Sequence, residues 1–150
     1  MPILAGQIVK ASQLNRMQPR SDAAAADTNL VRNNTTAVGD ISGTTITVVT
    51  TVPNAVYTAV GTFDVQIGAT GAGNIIGYLN VDGTADSGVA ARRMDAVTRD
   101  TIAQTWRGVL ATAGSHTFKL QGQTSVATAS AGNIFTSGST KLALTIAEPV

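Results

Sequence analysis

The sequence predicts an all-β protein built as an antiparallel sandwich of about seven to eight strands, and three observations predict it. From Asn33 onward apolar residues recur with a period of two. Turn residues punctuate that pattern at about the 8–12-residue spacing of sandwiches and barrels. The composition, with 22 Thr, 23 Ala and 15 Gly but only one Glu and three Lys, favours strands and tight turns over surface helices.

The strands read in order as 44–51 (TTITVVTT), 56–67 (VYTAVGTFDVQI), 75–81 (IIGYLNV), 89–95, 101–110 (TIAQTWRGVL), 116–123 (HTFKLQGQ) and 141–147 (KLALTIA), with room for an eighth near 34–38. The last two alternate most cleanly. Phe118 and Leu120 interleave with Lys119 and Gln121, and Leu142, Leu144 and Ile146 interleave with Ala143 and Thr145, so one face of each is core. In 56–67 the inward set is Tyr57, Ala59, Gly61, Phe63, Val65 and Ile67. Thr58, Thr62, Asp64 and Gln66 face out, and Val60 is an apolar exception.

Residues 1–32 read as an arm and 33–150 as the β domain. In the arm, Ser12 is positioned to cap one turn over 13–17, which Pro19 discourages from continuing. Ser21 or Asp22 is positioned to cap a short helix through the four alanines to about Leu30. Ile3, Leu4, Ile8 and Val9 are interrupted by Pro2, Gly6 and Gln7 and do not form the apolar core of a secretory signal. No run approaches the roughly 18 apolar residues of a membrane span, so membrane insertion is not expected.

At +1 the net charge lacks the basic excess of a protein held by phosphate contacts, so nucleic acid is not an expected partner. With no Cys, one His and one Glu, neither a thiolate metal site nor a His/Glu metal cluster can be assembled, and no cofactor is expected.

Each residue that invites a chemical role has a plainer structural reading. His116 follows Ser115 directly, and neighbours on a strand point to opposite faces, which makes them a poor nucleophile–base pair. Asp82 and Asp86 in VDGTAD lack the acid density and distal Glu of a calcium loop, and Asp82–Gly83 reads as a turn. Gly68, Gly71 and Gly73 match no phosphate-loop spacing and precede a strand. Arg92, Arg93, Arg99 and Arg107, interleaved with Asp95 and Asp100, read as ion pairs between neighbouring strands. Trp106, Tyr57 and Tyr78 are the aromatics a sugar site would need, but Trp106 reads as packing.

The segments YTAVGTFDVQIGA, YLNVDGT, AGSHTFKLQGQ and STKLALTIAE resemble, in their order, the C1q/TNF-like jelly rolls that recur in structural proteins of tailed bacteriophages. The opening MPILAGQIVKASQLNRM is similar to the first residues of small minor-tail and decoration proteins of actinobacteriophages, in which an AGQ-(I/V)-(V/I)-(K/R)-A-S-x-(L/F)-N phrase precedes a β domain.

The resemblance implies a jelly-roll-like sandwich, no catalysis, location in the virion after synthesis in the host cytoplasm, and a homotrimer. It makes the arm a docking strap whose Ile3, Leu4, Ile8, Val9, Lys10, Leu14 and Arg16, with an unmatched Arg20, would lie on another virion protein, capsid or tail. Ile134 and Phe135, in the uncharged stretch 125–135, are expected at a subunit interface. A carbohydrate-binding module that reads a host-surface glycan is the alternative.

Overall fold

A computed structural model describes residues 10–31, 37–67, 73–94, 98–124 and 134–149. One helix, α1 (Ala11–Met17), precedes eleven strands. These are β1 (Arg20–Ala25), β2 (Leu30–Val31), β3 (Gly39–Asp40), β4 (Ile46–Thr50), β5 (Ala55–Gln66), β6 (Gly73–Val81), β7 (Thr84–Met94), β8 (Arg99–Leu110), β9 (Gly114–Thr124), β10 (Ile134–Phe135) and β11 (Lys141–Ala147).

The short strands are interrupted lengths of longer ones. β10 and β11 lie end to end along the same side of β5, Ile134 opposite Gln66 and Ala147 opposite Val56. β2 and β1 continue along β10 and β11, and β3 and β4 run along β9 in the same way. Eight strand paths result. The first sheet is β1/β2, β11/β10, β5, β8 and the second is β3/β4, β9, β6, β7. In chain order the first path pairs with the eighth, the second with the seventh, the third with the sixth and the fourth with the fifth, all antiparallel, which is the pairing of a rolled-up hairpin, or jelly roll.

The three interruptions lock together at one corner of the sandwich. The Ala26 N–H donates to the Thr140 carbonyl at 2.9 Å, the Gly138 N–H to the Ala26 carbonyl at 2.7 Å and the Asp27 N–H to the Ser42 carbonyl at 3.2 Å. The Thr44 hydroxyl donates to the Ile41 carbonyl and accepts from the Leu120 N–H, replacing the ladder bond that this bulge removes. Gly43 has φ +80°, and a Cβ there would stand 2.6 Å from the Ala25 carbonyl oxygen, so glycine is required on both counts.

Six of the seven long strands fall where the alternation puts them, and the inward set of β5 is buried as expected. β7, in contrast, begins at Thr84, five residues before the expected 89, because the turn is only Asp82–Gly83 and pairing with β6 starts at Thr84. Asp64 is a correction. It lies on the outer face of β5, yet its carboxylate is covered by the 136–140 interruption and held by the Arg99 guanidinium and the Thr136 hydroxyl. The helix expected over 22–30 is also corrected, because Arg20–Ala25 is a strand paired with β11. Four alanines favour a helix, but a helix this short has no packing partner, whereas the edge of β11 offers a full row of backbone hydrogen bonds. The helix that does form begins at Ala11, so Ser12 lies inside it and caps nothing. Of the eighth strand expected near 34–38, residues 34–36 lie outside the described residues, and Ala37 and Val38 are not in a strand.

The core is a chain of edge-on aromatics, Phe135 against Phe63 at 6.1 Å, Phe63 against Trp106 at 6.4 Å, and Tyr57 against Phe118 at 5.1 Å. These rings sit over glycines. A Cβ on Gly77 would be 2.5 Å from Phe63, one on Gly122 2.5 Å from Phe135, and one on Gly108 2.5 Å from the Tyr57 hydroxyl. A chain with so few aromatics thus fills part of its interior by laying Phe63, Phe135 and Tyr57 into the space a missing side chain leaves.

Candidate functional site

In the arm, Ile3, Leu4, Ile8 and Val9 lie outside the described residues, and Lys10, Leu14 and Arg16 lie at α1. The Gln13 side chain accepts from the Lys10 N–H at 3.0 Å and holds the first turn. Gln13 and Arg16 are the half-buried residues of the helix, whereas Leu14 and Met17, three apart and so on one face, are exposed. This short helix turns Gln13 and Arg16 toward the body and leaves Leu14 and Met17, with Ser12 and Asn15, exposed.

Arg20 is not unmatched. Its guanidinium donates to Glu148 at 2.7 Å and to the Val49 carbonyl at 2.9 Å. Burial works to raise the Glu148 pKa, but hydrogen bonds from Thr51 and the charges of Arg20 and Arg16 hold it below the usual carboxylate range. Arg20 is therefore bound to the body and Arg16 lies half-buried with its charge acting on Glu148, whereas Lys10 and the Leu14–Met17 face are exposed.

Phe135 requires a correction. It is fully buried against Phe63 within its own chain, so it cannot meet a second subunit; Ile134 is half-buried beside it. Uncharged neighbours suggested exposure, but Phe135 falls on the inward face of a strand that sequence alternation was too short to reveal.

His116 is buried, with Nδ1 2.7 Å from the Asp82 carboxylate and Nε2 3.1 Å from the Thr112 carbonyl. Both partners are acceptors, so only the imidazolium satisfies both nitrogens. The bond to Asp82 raises the His116 pKa, against the cost of burial. Burial also opposes ionisation of Asp82, yet hydrogen bonds from His116 and the Thr117 N–H bring its pKa below the usual value. Asp82 and Gly83, at φ 51° and 87°, form the two-residue loop of the β6–β7 hairpin, which needs a positive φ at both positions. The histidine thus clamps that turn to the 110–114 turn.

The pH dependence follows from these signs. A raised His pKa contributes stability that is complete below its ordinary value of 6.5 and is lost as pH rises through the folded value. Asp82 contributes above its ordinary 3.8, and its share is lost as pH falls through the depressed value. Melting temperature is expected to decline from pH 6 to pH 9, and His116→Asn to flatten that decline in scanning calorimetry. An unchanged slope in the variant would contradict the clamp.

Most of the remaining candidates have structural partners, with Arg107 as a correction, since it is exposed on β8 and forms no ion pair among the described residues. Trp106 is buried and its indole N–H donates to the Gly88 carbonyl at 2.7 Å, tying the two sheets together. The Tyr57 hydroxyl donates to Asp86 at 2.9 Å, and burial together with that carboxylate pushes its pKa up to about 12. The Tyr78 hydroxyl donates to Gln123. Arg92 pairs with Asp100 at 2.7 Å and Arg99 with Asp64. Gly68, Gly71 and Asp95 lie outside the described residues. Among the described residues no three of His, Asp and Glu converge as metal ligands.

No family model matches the chain, and no curated protein matches it. Solved structures do match. They include the structure of infectious bursal disease virus, Gx strain (TM-score 0.52, 20% identity, 85% of this chain and 33% of that chain). The VP2 subviral particle of infectious bursal disease virus matches with TM-score 0.54 at 14% identity, over 87% of this chain and 33% of that one. The T13 viral particle of the same virus matches with TM-score 0.52 at 14% identity, over 85% and 31%. The chain spans about a third of the length of the chains it matches, and the likeness is one of fold.

Proposed function

We propose that the protein is a non-enzymatic structural component of a tailed-bacteriophage virion, of the minor tail or capsid decoration kind, that docks through its N-terminal arm and displays the β sandwich outward. The observation that carries this reading is α1, whose Leu14 and Met17 project away from the body ahead of a jelly roll similar in fold to the chain of the VP2 subviral particle. A short helix with its apolar side outward gains stability only when something covers that side. The opening phrase's similarity to phage minor-tail and decoration proteins supports the same assignment, with other virion proteins as partners.

The arm that docks is residues 1–19 and not the 1–32 expected from the sequence, since Arg20–Ala25 and Leu30–Val31 pair into the first sheet. Deleting 1–19 is expected to leave the strand ladder folded, by circular dichroism and thermal melting, and to abolish incorporation into particles, by mass spectrometry of purified virions. A truncate that still enters virions would overturn the docking role. A homotrimer, implied by the C1q/TNF-like resemblance, is read from light scattering of the whole chain at micromolar concentration. The glycan alternative gains no support from buried Trp106 and Tyr57.

A further inference from the structure

The two sheets present unlike faces to solvent. On the outer face of the β3/β4–β9–β6–β7 sheet, Asp40 accepts from Lys119 and Gln121 at 2.6 Å each, and Tyr78 donates to Gln123, so polar groups there satisfy one another. The outer face of the β1–β11–β5–β8 sheet carries less of this among the described residues: Ser21 and Thr145 share one long hydroxyl contact at 3.3 Å, and Asp64, Arg99 and Thr136 are paired at its margin. Register places Ala23, Ala143, Val60 and Thr105 in one row across the four strands, and Ala147, Val56 and Val109 in another. Val56, Val60 and Val109 are 49%, 37% and 59% exposed. The small side chains leave a shallow depression of about 410 Å³ around Val60 and Ala143.

Where the four strands run together, this face carries two charges, Lys141 and Arg107. Both are exposed, and neither has an ion-pair partner among the described residues. Asp64, at its margin, is taken by Arg99.

We propose that this face is a second docking surface, seated on a flat, apolar, carboxylate-bearing protein surface of the particle. The inference rests on the virion reading and adds the surface that receives the partner. Three arguments choose the occupant. Two cations with no carboxylate beside them are not self-complementary, so two copies packed face to face would bring like charges together with nothing to neutralise them. The described residues of this face include no aromatic, which removes the stacking platform a sugar requires. Finally, four strands at about 4.8 Å spacing and about 20 Å of shared length give roughly 400 Å². That is about half of the roughly 800 Å² each partner contributes to a stable interface. The face does not hold a partner alone, and the Leu14–Met17 side of the arm, which leads directly into β1 of the same sheet, supplies further area on that partner.

The test uses the full chain and purified particles from which it is absent. Val109→Asp and Ala143→Glu place a carboxylate on the face, and Arg107→Glu reverses a charge that stands free of the ladder, so at least one variant folds. Val89→Asp, exposed on the other sheet, is the control. Particle binding is expected to weaken at least tenfold for the three face variants and to be unchanged for the control, with melting temperatures equal to the parent. Binding by the face variants equal to the parent would overturn the proposal and leave the virion reading standing, whereas absence of the parent protein from virions would remove that reading itself. A change in the light-scattering mass of the isolated chain on Val109→Asp would place a second copy on the face and equally overturn the acidic partner.

Discussion

Phe118→Ala is expected to cost about 3–5 kcal/mol of stability, and Lys119→Ala, one residue along, less than about 1 kcal/mol. Phe118 is fully buried in β9 and meets the edge of the Tyr57 ring at 5.1 Å, so truncation leaves a cavity between two strands that cannot close on it. Lys119 points to the opposite face, where its ammonium pairs with Asp40 beside solvent, and such pairs contribute little. A loss of this size at Phe118 is a large part of a typical domain's stability. Urea titrations of the two variants measure the contrast, and equal losses would mean that β9 is buried on both faces.

Gly77→Ala is the second large effect, and it acts by excess volume. Gly77 lies in β6, and a methyl group there would stand 2.5–2.6 Å from three carbons of the Phe63 ring, well inside contact distance. Phe63 cannot retreat freely, since Trp106 and Phe135 meet it edge-on from both sides. Overpacking of this kind costs about 1–3 kcal/mol. Phe63→Leu in the same chain is expected to relieve part of the cost, because the residues share one space and their effects do not add. A double variant whose loss equals the sum of the two single losses would show that the ring and the glycine are not coupled.

The long strands were legible because their alternation runs for five residues in β4 and for seven or more in the others, enough to set a period of two apart from a helix. β2, β3 and β10, at two residues each, carry no period at all. The interruptions that create them depend on tertiary hydrogen bonds such as that between Ala26 and Thr140. β1 was misread for a different reason. RSDAAA has local propensity for a helix, and what makes it a strand is the edge of β11, far away in sequence. The plain readings of His116 and Trp106 followed from geometry, but their partners, Asp82 and the Gly88 carbonyl, were not visible in any spacing. The apolar outer face was signalled only by Val60, the residue that broke the alternation of β5. Val109 completes the signal once register sets the two on one face.

The pairing of β1 with β11 also sets when the molecule can be finished. Ser21 and Thr145 approach within 3.3 Å although 124 residues separate them. Closing so long a loop is entropically expensive before the contact repays it, and chains dominated by such contacts fold slowly. During translation β1 has no partner until the ribosome has released Ala147, so α1 and β1 wait, unpaired, while the β6–β7 hairpin can already form. Copies growing side by side on one messenger would each hold out an alanine-rich strand and receive, last of all, the edge it was made to fit.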